Sequence, residues 1–432
     1  MRARSRLLIV APAWIEGNWG GGKVLAAPLI LALLAGLTPP DIDVRLVDEN
    51  VERLDLNAKA DLVAISCMTA SAPRAYAIAD AFRARHIPVV MGGIHPTVMP
   101  NEAALHADAV VIGEAEPVWE QVLADLSSGN LQQFYRSEFC SMKGLSHPRR
   151  ELSAGGPYVI PNLIQTARGC PHACSFCTVS IIAGRKYRFR PVDEVVTEMR
   201  GMRQFGKRFG IVDDNIAAHP DRVKELFEAI IPLEIAWGGQ ADLNIARDPE
   251  LLRLARRSGC KMLYVGLESV SNENLRATHK TPNLRDGVDM GEAIRTIQAT
   301  GIAVIGSFVL GLDGDYPDVF EKTFEFVMRH KLAAVQASIL TPFPGTPLRD
   351  QLLREDRIHL DKGWDQYSFS RCVFRPLHMS EEELLAGRLW LCQKFYRIPN
   401  ILYRLFPPNR DILLRLGANL SYGRVHRGKG VL

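Results

Sequence analysis

The chain has 432 residues, of which 47% are hydrophobic and 23% are charged, and both fractions are ordinary for a folded protein. At about 150 residues per domain, this length predicts about three domains with at least one large core, and it excludes a small disulfide-stapled scaffold. The formal net charge is +4, and the basic excess lies at the end of the chain, where residues 394–432 hold eight Lys or Arg and a single acid, Asp411.

The first residues, MRARSRLLIVAP, are basic and then apolar, but they lack a small-residue cleavage site. We interpret them as a first strand and expect a cytoplasmic protein. The longest apolar stretch, residues 24–37, contains Pro28 and is shorter than the ~20 residues that a membrane span takes.

Residues 6–129 alternate short apolar runs (RLLIVAP, VRLVDEN, DLVAISCM, PVVMGG, AVVIGE) with helical patterns. This alternation predicts an N-terminal doubly wound, Rossmann-like parallel sheet of five strands with helices on both faces. Such sheets bind ligands at the carboxyl ends of their strands. Each glycine or acid at these ends is equally well explained as a turn former or a helix cap. The residues that follow the strands are Gly20, Gly21, Gly22, Asp48, Glu49, Asn50, Ser66, Gly92, Gly93, His95, Gly113 and Glu114.

A second alternating series follows a segment that has little periodicity, and it contains six strand-helix repeats, which fit an open sheet or a partial barrel. After residue 350 the strand pattern ends and helices are expected. The predicted domains are therefore 1–135 (Rossmann-like), 136–160 (linker), 161–350 (the six repeats) and 351–432 (a helical C-terminal region with a basic tail).

Three of the eight cysteines crowd into RGCPHACSFC, with the spacing C-x3-C-x2-C. Closely spaced thiolates of this kind hold iron-sulfur clusters, and three ligands for a four-iron cluster leave one iron open to a small molecule. The alternative is a structural zinc site closed by His172 or another cysteine. A disulfide is disfavoured in a reducing compartment.

This segment resembles the signature of the radical S-adenosylmethionine superfamily. VDDN (212–215), GLES (266–269), GSFVLGLDGD (306–315) and TPFPGTPL (341–348) follow in the order of that superfamily's partial (βα)6 TIM-type barrel. VDEN, MGGIHPT and IGEAE resemble the cobalamin-binding domain that is fused to many members. The resemblance covers about residues 6–350, and WDQYSFSRCVFRPLHMSEEEL resembles the region that follows.

The resemblance implies a 4Fe-4S cluster on Cys170, Cys174 and Cys177, with S-adenosylmethionine chelating the fourth iron. It places Phe176 near the adenine, although a packing role in the barrel also fits. The acids at 213–214 could instead form a helix-capping turn. The residues that the resemblance assigns to S-adenosylmethionine are Phe176, Asp213, Asp214, Asn215, Glu268 and Ser269.

Cobalamin is the third implied cofactor. Many cobalamin domains supply an axial histidine from an Asp-x-His-x-x-Gly motif, and this sequence reads APAWIEGNWGGGK instead. Members of this subgroup often leave the lower cobalt face without histidine, so we expect cobalamin; otherwise the domain positions substrate or stabilises the barrel. The residues assigned to cobalamin are Gly20, Gly21, Gly22, Asp48, Glu49, Asn50, Ser66, Gly92, Gly93, Gly113 and Glu114.

The expected activity is reductive cleavage of S-adenosylmethionine to a 5'-deoxyadenosyl radical, followed by cobalamin-dependent C-methylation of a hydrophobic metabolite such as an isoprenoid-type lipid or a tetrapyrrole. The alternatives are cyclisation, oxidation or rearrangement without methyl transfer, and a non-catalytic iron-sulfur sensor or scaffold. No catalytic side chain is assigned. The chemistry requires a low-potential electron donor such as a flavodoxin or a ferredoxin.

The tail IPNILYRLFPPNRDILLRLGANLSY interleaves apolar residues with arginine. This pattern fits peripheral contact with an anionic membrane, and it equally fits a helix packed on the barrel with a solvated basic face. Nucleic acid is not expected as a partner, because GRKYRFR (184–190) is short and no basic, aromatic-studded platform accompanies it.

Overall fold

The computed structural model describes residues 5–14, 24–284, 289–406 and 412–427. The predicted ligand residues Gly20, Gly21 and Gly22 lie outside these ranges. The chain divides into two compact units. Unit 1 comprises Met1–Ile164, Arg188–Gly206 and Lys362–Gln366, and unit 2 comprises Gln165–Tyr187, Lys207–Asp361 and Tyr367–Leu432.

The strands, in chain order, are β1 (Arg6–Ala11), β2 (Val24–Ala26), β3 (Asp43–Asp48), β4 (Leu62–Ser66), β5 (Val89–Gly92), β6 (Ala109–Ile112), β7 (Phe134–Arg136), β8 (Tyr158–Ile160), β9 (Asn162–Ile164), β10 (Ala167–Arg168), β11 (Arg188–Phe189), β12 (Arg208–Ile211), β13 (Ala236–Ala241), β14 (Cys260–Glu268), β15 (Ala303–Leu310) and β16 (Ala334–Ile339).

The α-helices are α1 (Leu29–Leu37), α2 (Ala72–Arg83), α3 (Ile94–Val98), α4 (Pro100–Ala103), α5 (Trp119–Ser128), α6 (Val179–Ile182), α7 (Val192–Met202), α8 (Pro220–Ile230), α9 (Pro249–Arg257), α10 (Asn272–Ala277), α11 (Met290–Ala299), α12 (Val319–Arg329), α13 (Pro347–Arg354), α14 (Glu381–Phe395), α15 (Ile398–Leu405) and α16 (Ile412–Arg427).

The first sheet has six strands in the order β3-β1-β4-β5-β6-β7, and all of its pairings are parallel. Its interior strand β1 is buried on both faces, because Leu8 and Val10 lie in one apolar cluster while Leu7 and Ile9 lie in another. The expected doubly wound sheet is therefore confirmed, and MRARSRLLIVAP does contain its first strand.

The order of the first five strands is that of a flavodoxin-like sheet, in which the ligand crevice lies at the carboxyl ends where the chain changes direction, here between β1 and β4. The sixth strand, β7, was not expected. It has three residues and adds to β6 through the pairing of Val110 with Phe134. A run this short carries no detectable periodicity.

The second sheet has six strands in the order β16-β15-β14-β13-β12-β9. Strands β12 to β16 are neighbours in the order of the chain and run parallel, with helices between them. This sequential order agrees with the expected repeats of a partial barrel. The carboxyl ends of these parallel strands lie at one edge, and the predicted site residues follow them there.

The C-terminal region is helical, as expected. The helix α14 begins with a capping box in which Ser380 and Glu383 exchange hydrogen bonds. Tyr396 follows it and donates from its hydroxyl to the carbonyl of Val335 (2.9 Å), which fastens the region to β16. Among the described residues, no helix is both long enough and apolar enough to cross a bilayer.

Candidate functional site

The three clustered cysteines lie on a loop between β10 and α6 in unit 2. Two backbone hydrogen bonds fix the middle of this loop: the amide of Ser175 donates to Thr278 (3.1 Å), and Ser175 accepts from the amide of Leu348 (3.0 Å). The side chains of Cys170, Cys174 and Cys177 are partly buried, and so is Phe176 between them. The loop therefore holds its thiols in a fixed, partly desolvated arrangement.

Burial and the closeness of the three thiols to one another raise their pKa values. Burial first, and then the neighbouring Cys174 and Cys170, raise the pKa of Cys177 to about 11. The pKa of Cys174 is also raised, by burial first, while the cation of Lys280 opposes that rise. Thiols in this state are protonated until a metal displaces the protons, so metal binding here releases acid.

Zinc and a cluster place different demands on this loop. A structural zinc ion takes four ligands, so it needs one more beside the three thiols. His172, the predicted alternative ligand, donates from Nε2 to Asp242 Oδ2 (2.9 Å), which leaves only its Nδ1 for a metal. A 4Fe-4S cluster with one open iron needs no ligand beyond the three thiols. Within the described ranges, one group of three Cys, His, Asp or Glu donors lies within 4.8 Å of one another, at Glu114, Glu116 and Cys140.

Asp213, at the carboxyl end of β12, is fully buried and faces the chain rather than an open space. It accepts hydrogen bonds from the amide of Thr166 (2.6 Å), the hydroxyl of Thr166 (2.5 Å) and the amide of Ala167 (3.0 Å). Burial nevertheless raises the pKa of Asp213 to about 6. These contacts hold the residues that lead into the cysteine loop.

Asp214 also holds the start of the cysteine loop. Its Oδ2 accepts a hydrogen bond from the amide of Gly169 (2.8 Å), the residue directly before Cys170. Gly169 has a φ of +91°, and a Cβ there would overlap the carbonyls of Lys186 and Gly184. A glycine is thus required where the chain turns into the first cysteine.

Asn215 and Asp242 connect the ends of β12 and β13 to the loop. The side-chain amide of Asn215 donates to Asp242 Oδ2 (2.8 Å), the same oxygen that accepts the hydrogen bond from His172. Burial alone would raise the pKa of Asp242, but hydrogen bonds from His172, Asn215 and the amide of Asn244 outweigh it and lower that pKa. The loop is therefore anchored by an ionised, buried carboxylate.

Glu268, at the end of β14, is buried and pairs with Lys280, with Nζ 2.9 Å from Oε1. Its backbone has a φ of +64°, which is strained for a residue other than glycine. A Cβ on Gly266 would overlap both charged groups. The pair lies next to the thiols, because Lys280 and Glu268 both act on the pKa of Cys174.

Ser269 is buried beside this pair, and its hydroxyl accepts from the amide of Ser271 (3.1 Å). Asn274 donates to Asp315 Oδ1 (2.7 Å), and Asp315 Oδ2 accepts from the amides of Gly311 (2.9 Å) and Leu312. These bonds shape the loop after β15. The predicted residues of unit 2 are thus gathered at the carboxyl edge of one sheet.

In unit 1, the last residue of β3 and the two that follow it are held by polar contacts. Asp48 accepts from the side chain of Asn50 (2.7 Å) and the hydroxyl of Tyr158 (3.2 Å). Glu49 is fully buried and forms an ion pair with Arg74 (2.7 Å). A cavity of about 260 Å³ is lined by Asp48, Tyr158 and neighbouring apolar residues.

Ser66, Gly92 and Gly93 meet where β4 and β5 end. The amide of Cys67 donates to Gly92 (3.0 Å). Gly93 has a φ of +99°, and a Cβ there would lie 2.7 Å from the carbonyl oxygen of Cys67 and 3.1 Å from Ser66 Oγ. A glycine is therefore required at position 93, because the backbone of Cys67 occupies the place of a Cβ.

Gly113 and Glu114 follow β6. Gly113 has a φ of +96° and donates from its amide to the hydroxyl of Thr97 (3.1 Å). Glu114 is buried and pairs with Arg188 through both carboxylate oxygens (2.6 and 3.0 Å). Its carboxylate is therefore engaged by the chain itself.

Sequence reasoning missed several residues that the fold brings in from far along the chain. Lys280 and Asp242 are two of them. A third group surrounds the buried His95, whose Nε2 is hydrogen-bonded to Tyr76 (3.0 Å); Glu102 accepts from both Tyr76 (2.9 Å) and Trp364 (2.7 Å). The GGIHP motif was the available signal for His95, but its partners carry no local pattern.

Comparison with known proteins divides the chain in a similar way. Residues 164–327 match the family model described as the radical SAM superfamily, and residues 28–123 match the model described as the B12 binding domain.

Two relatives match most of this chain. A bacteriochlorophyllide d C-12(1)-methyltransferase of Chlorobaculum tepidum is 32% identical over 418 residues, which cover 94% of this chain and 90% of that protein. A hopanoid C-2 methylase of Rhodopseudomonas palustris is 30% identical over 350 residues, or 77% of this chain and 65% of that protein.

A solved structure shares the fold. The radical S-adenosylmethionine methyltransferase TsrM of Kitasatospora setae, with cobalamin and a 4Fe-4S cluster bound, has a TM-score of 0.69 at 16% identity, covering 90% of this chain and 89% of that one.

Proposed function

The chain belongs to the family of radical SAM enzymes that carry an N-terminal B12-binding domain, and from this premise we propose that it methylates an unactivated carbon of a hydrophobic metabolite. The observation that carries the proposal is the cysteine loop, whose three partly buried thiols are held at the carboxyl edge of the second sheet.

Cys170, Cys174 and Cys177 would hold a 4Fe-4S cluster, since thiolates are its ordinary ligands and three of them leave one iron open. When bound, the cluster supplies the low-potential electron for cleaving S-adenosylmethionine, and cobalamin supplies the methyl group. A flavodoxin or a ferredoxin is the proposed electron donor.

The chain's own residues hold the cysteine loop in position for these cofactors. Asp213 and Asp214 hold the segment that enters the cysteine loop, and Asp242 holds His172 within it. These contacts support a positioning role for Asp213, whose oxygens are filled by the backbone and by Thr166. Glu268 and Lys280 are the charged pair nearest the thiols, and with Phe176, Asp214, Asn215 and Ser269 they are the proposed surroundings of S-adenosylmethionine.

For cobalamin, the support is position: Gly92, Gly93 and Gly113 lie at the carboxyl ends of β5 and β6, where sheets of this kind bind their ligands. Asp48, Asn50 and Ser66 supply polar groups along the same carboxyl edge of the first sheet. Glu49 and Glu114 are occupied by Arg74 and Arg188, so they support the fold of this edge.

The substrate proposed is a tetrapyrrole or an isoprenoid-type lipid. The two relatives above are named for a bacteriochlorophyllide and for a hopanoid, and both are large, mostly apolar molecules. The longer match is to the bacteriochlorophyllide enzyme, so a chlorin pigment precursor is the first substrate to test.

The test is an anaerobic assay of protein reconstituted with iron, sulfide and cobalamin, given S-adenosylmethionine, a reductant and either a bacteriochlorophyllide or a hopanoid. We expect 5'-deoxyadenosine and a product heavier by one methylene group, both abolished in Cys174→Ala. The matched control is Cys392→Ala, a buried cysteine of unit 2 outside the cysteine loop. Cleavage of S-adenosylmethionine without methylated product from any hydrophobic substrate would contradict methyl transfer. Wild-type levels of 5'-deoxyadenosine from Cys174→Ala would contradict radical formation at the cysteine loop.

A further inference from the structure

The helix α15 is apolar on the side that faces away from the protein. Its inner side buries Ile401, Arg404 and Leu405, as expected for a helix packed on the barrel. Its outer side is also apolar, although a solvated helix face is normally polar. This outer face consists of Ile398 (62% exposed), Leu402 (61%), Tyr403 (51%) and Phe406 (69%).

Basic side chains flank the α15 outer face. The sequence holds no Asp or Glu from residue 384 to residue 410. Arg397, which directly precedes the helix, is exposed. Lys331 lies against the face itself, because its ammonium is 5.0 Å from the ring centroid of Tyr403 and donates to the carbonyl of Phe406 (2.7 Å).

A small cavity of about 120 Å³ opens beside Phe406 and is lined by three cationic side chains, Lys331, Arg404 and Arg415. It is large enough for one phosphate group. Basic side chains that line a concave surface attract anions, and arginine suits phosphate oxygens in particular.

Arg404 carries a buried positive charge. It is 1% exposed, and its guanidinium donates to the carbonyl of Leu332 (2.8 Å) and to Asn419 Oδ1 (2.8 Å). Its Nε has no hydrogen-bond partner, and no carboxylate of the described residues pairs with it. Burial, together with the nearby Arg415 and opposed by Tyr396, lowers the pKa of Arg404 to about 9.

We propose that this surface docks the protein onto an anionic membrane, with the α15 outer face in the interfacial layer and a lipid phosphate at the cavity beside Phe406. Apolar and aromatic side chains next to cations suit the boundary between headgroups and acyl chains. A second copy of the chain is a poorer occupant, because a twofold contact would bring the same cations together.

The experiment measures co-sedimentation of the full-length protein with vesicles of phosphatidylglycerol and phosphatidylcholine in equal parts, and with vesicles of phosphatidylcholine alone. We expect binding to the anionic vesicles that high salt weakens. Leu402→Glu should reduce the partition coefficient at least about tenfold, and Lys331→Gln should reduce it about fivefold.

Two matched controls should bind like the wild type. Leu360→Glu places the same charge at an exposed leucine of unit 2 outside the α15 outer face, and Lys322→Gln removes an exposed lysine that is paired with Asp318. Circular dichroism checks that every variant is folded. Vesicle binding is measured without substrate or turnover. A failure to bind vesicles therefore does not contradict the proposed methylation, and a failure to methylate does not contradict membrane docking.

Three outcomes would overturn the proposal. The first is equal binding to both kinds of vesicle or to none. The second is stabilisation by inorganic phosphate without vesicle binding, which would identify a site for a free anion. The third is a dimer that Leu402→Glu dissociates while wild-type protein ignores vesicles, which would make the surface a protein interface.

Discussion

The ion pair of Lys280 and Glu268 places two charges out of water beside Cys174. The side chains are 12% and 9% exposed, and Nζ lies 2.9 Å from Oε1. Burial alone would lower the pKa of Lys280, but Glu268 and Cys174 outweigh it and raise that pKa. Each charge therefore depends on the other, and removing one leaves its partner buried and uncompensated.

We predict that Lys280→Met lowers the free energy of unfolding of the metal-free protein by about 3 kcal/mol or more. The double variant Lys280→Met with Glu268→Gln should recover at least half of that loss, because it leaves no isolated charge. Urea unfolding followed by circular dichroism measures both. A double variant that is no more stable than the single one would contradict this account.

Asp315 makes the stability of unit 2 depend on pH. Burial raises its pKa from 3.8 to about 6, and hydrogen bonds from Leu312, Gly311 and Asn274 offset only part of that rise. The folded protein therefore holds this proton more tightly than the unfolded chain does, so the contribution of Asp315 to stability falls as pH rises from about 4 to about 6 and is level above that.

Asp315→Asn removes this titration, and we expect the variant to lose less stability than the wild type over that interval of pH. Asp213, which has a similar shift, is present in both proteins and cancels in the comparison. Melting temperatures measured across the interval test this. Parallel curves for the two proteins would show that Asp315 is not the titrating group.

At the scale of strands and loops, the sequence located most of the candidate site, and the reason is geometric. The carboxyl ends of parallel strands meet at one edge, so locating the strands also located Asp213 and Glu268. The hydrogen-bond partners of the cysteine loop could not be predicted from the sequence. His172 and Asp242, for example, are 70 residues apart, and no local pattern links them. Helix and strand periodicity reports which face is buried but not which distant side chain it meets.

The turn into the cysteine loop depends on Gly169, where a positive φ coincides with close backbone neighbours. We predict that Gly169→Ala lowers the free energy of unfolding by about 2 to 4 kcal/mol, the sum of a strained φ and of overpacking. The matched control is Gly301→Ala, at a φ of +86° where only the side chain of Arg256 is near. It should cost about 1 kcal/mol. Equal losses would mean that backbone overlap at Gly169 does not matter.

At the scale of the molecule, each unit presents the carboxyl edge of its own parallel sheet. In unit 2 that edge carries the cysteine loop, and in unit 1 it carries the glycines that follow β5 and β6. The two matching family models fall one on each sheet. If each edge holds its own cofactor, then damage to one edge should leave loading of the other intact.

This independence predicts a reciprocal pattern in two variants. Cys174→Ala should lose most of its iron after anaerobic reconstitution while cobalamin content stays at the wild-type level. Gly93→Ala, whose Cβ would meet the Cys67 backbone, should lose cobalamin at least about tenfold and keep its iron. Gly129→Ala, at a φ of +73° with open space around it, is the control for the glycine change. Iron assay and corrin absorbance on the same samples give both contents, and loss of both cofactors from a variant that circular dichroism shows to be folded would refute independent loading.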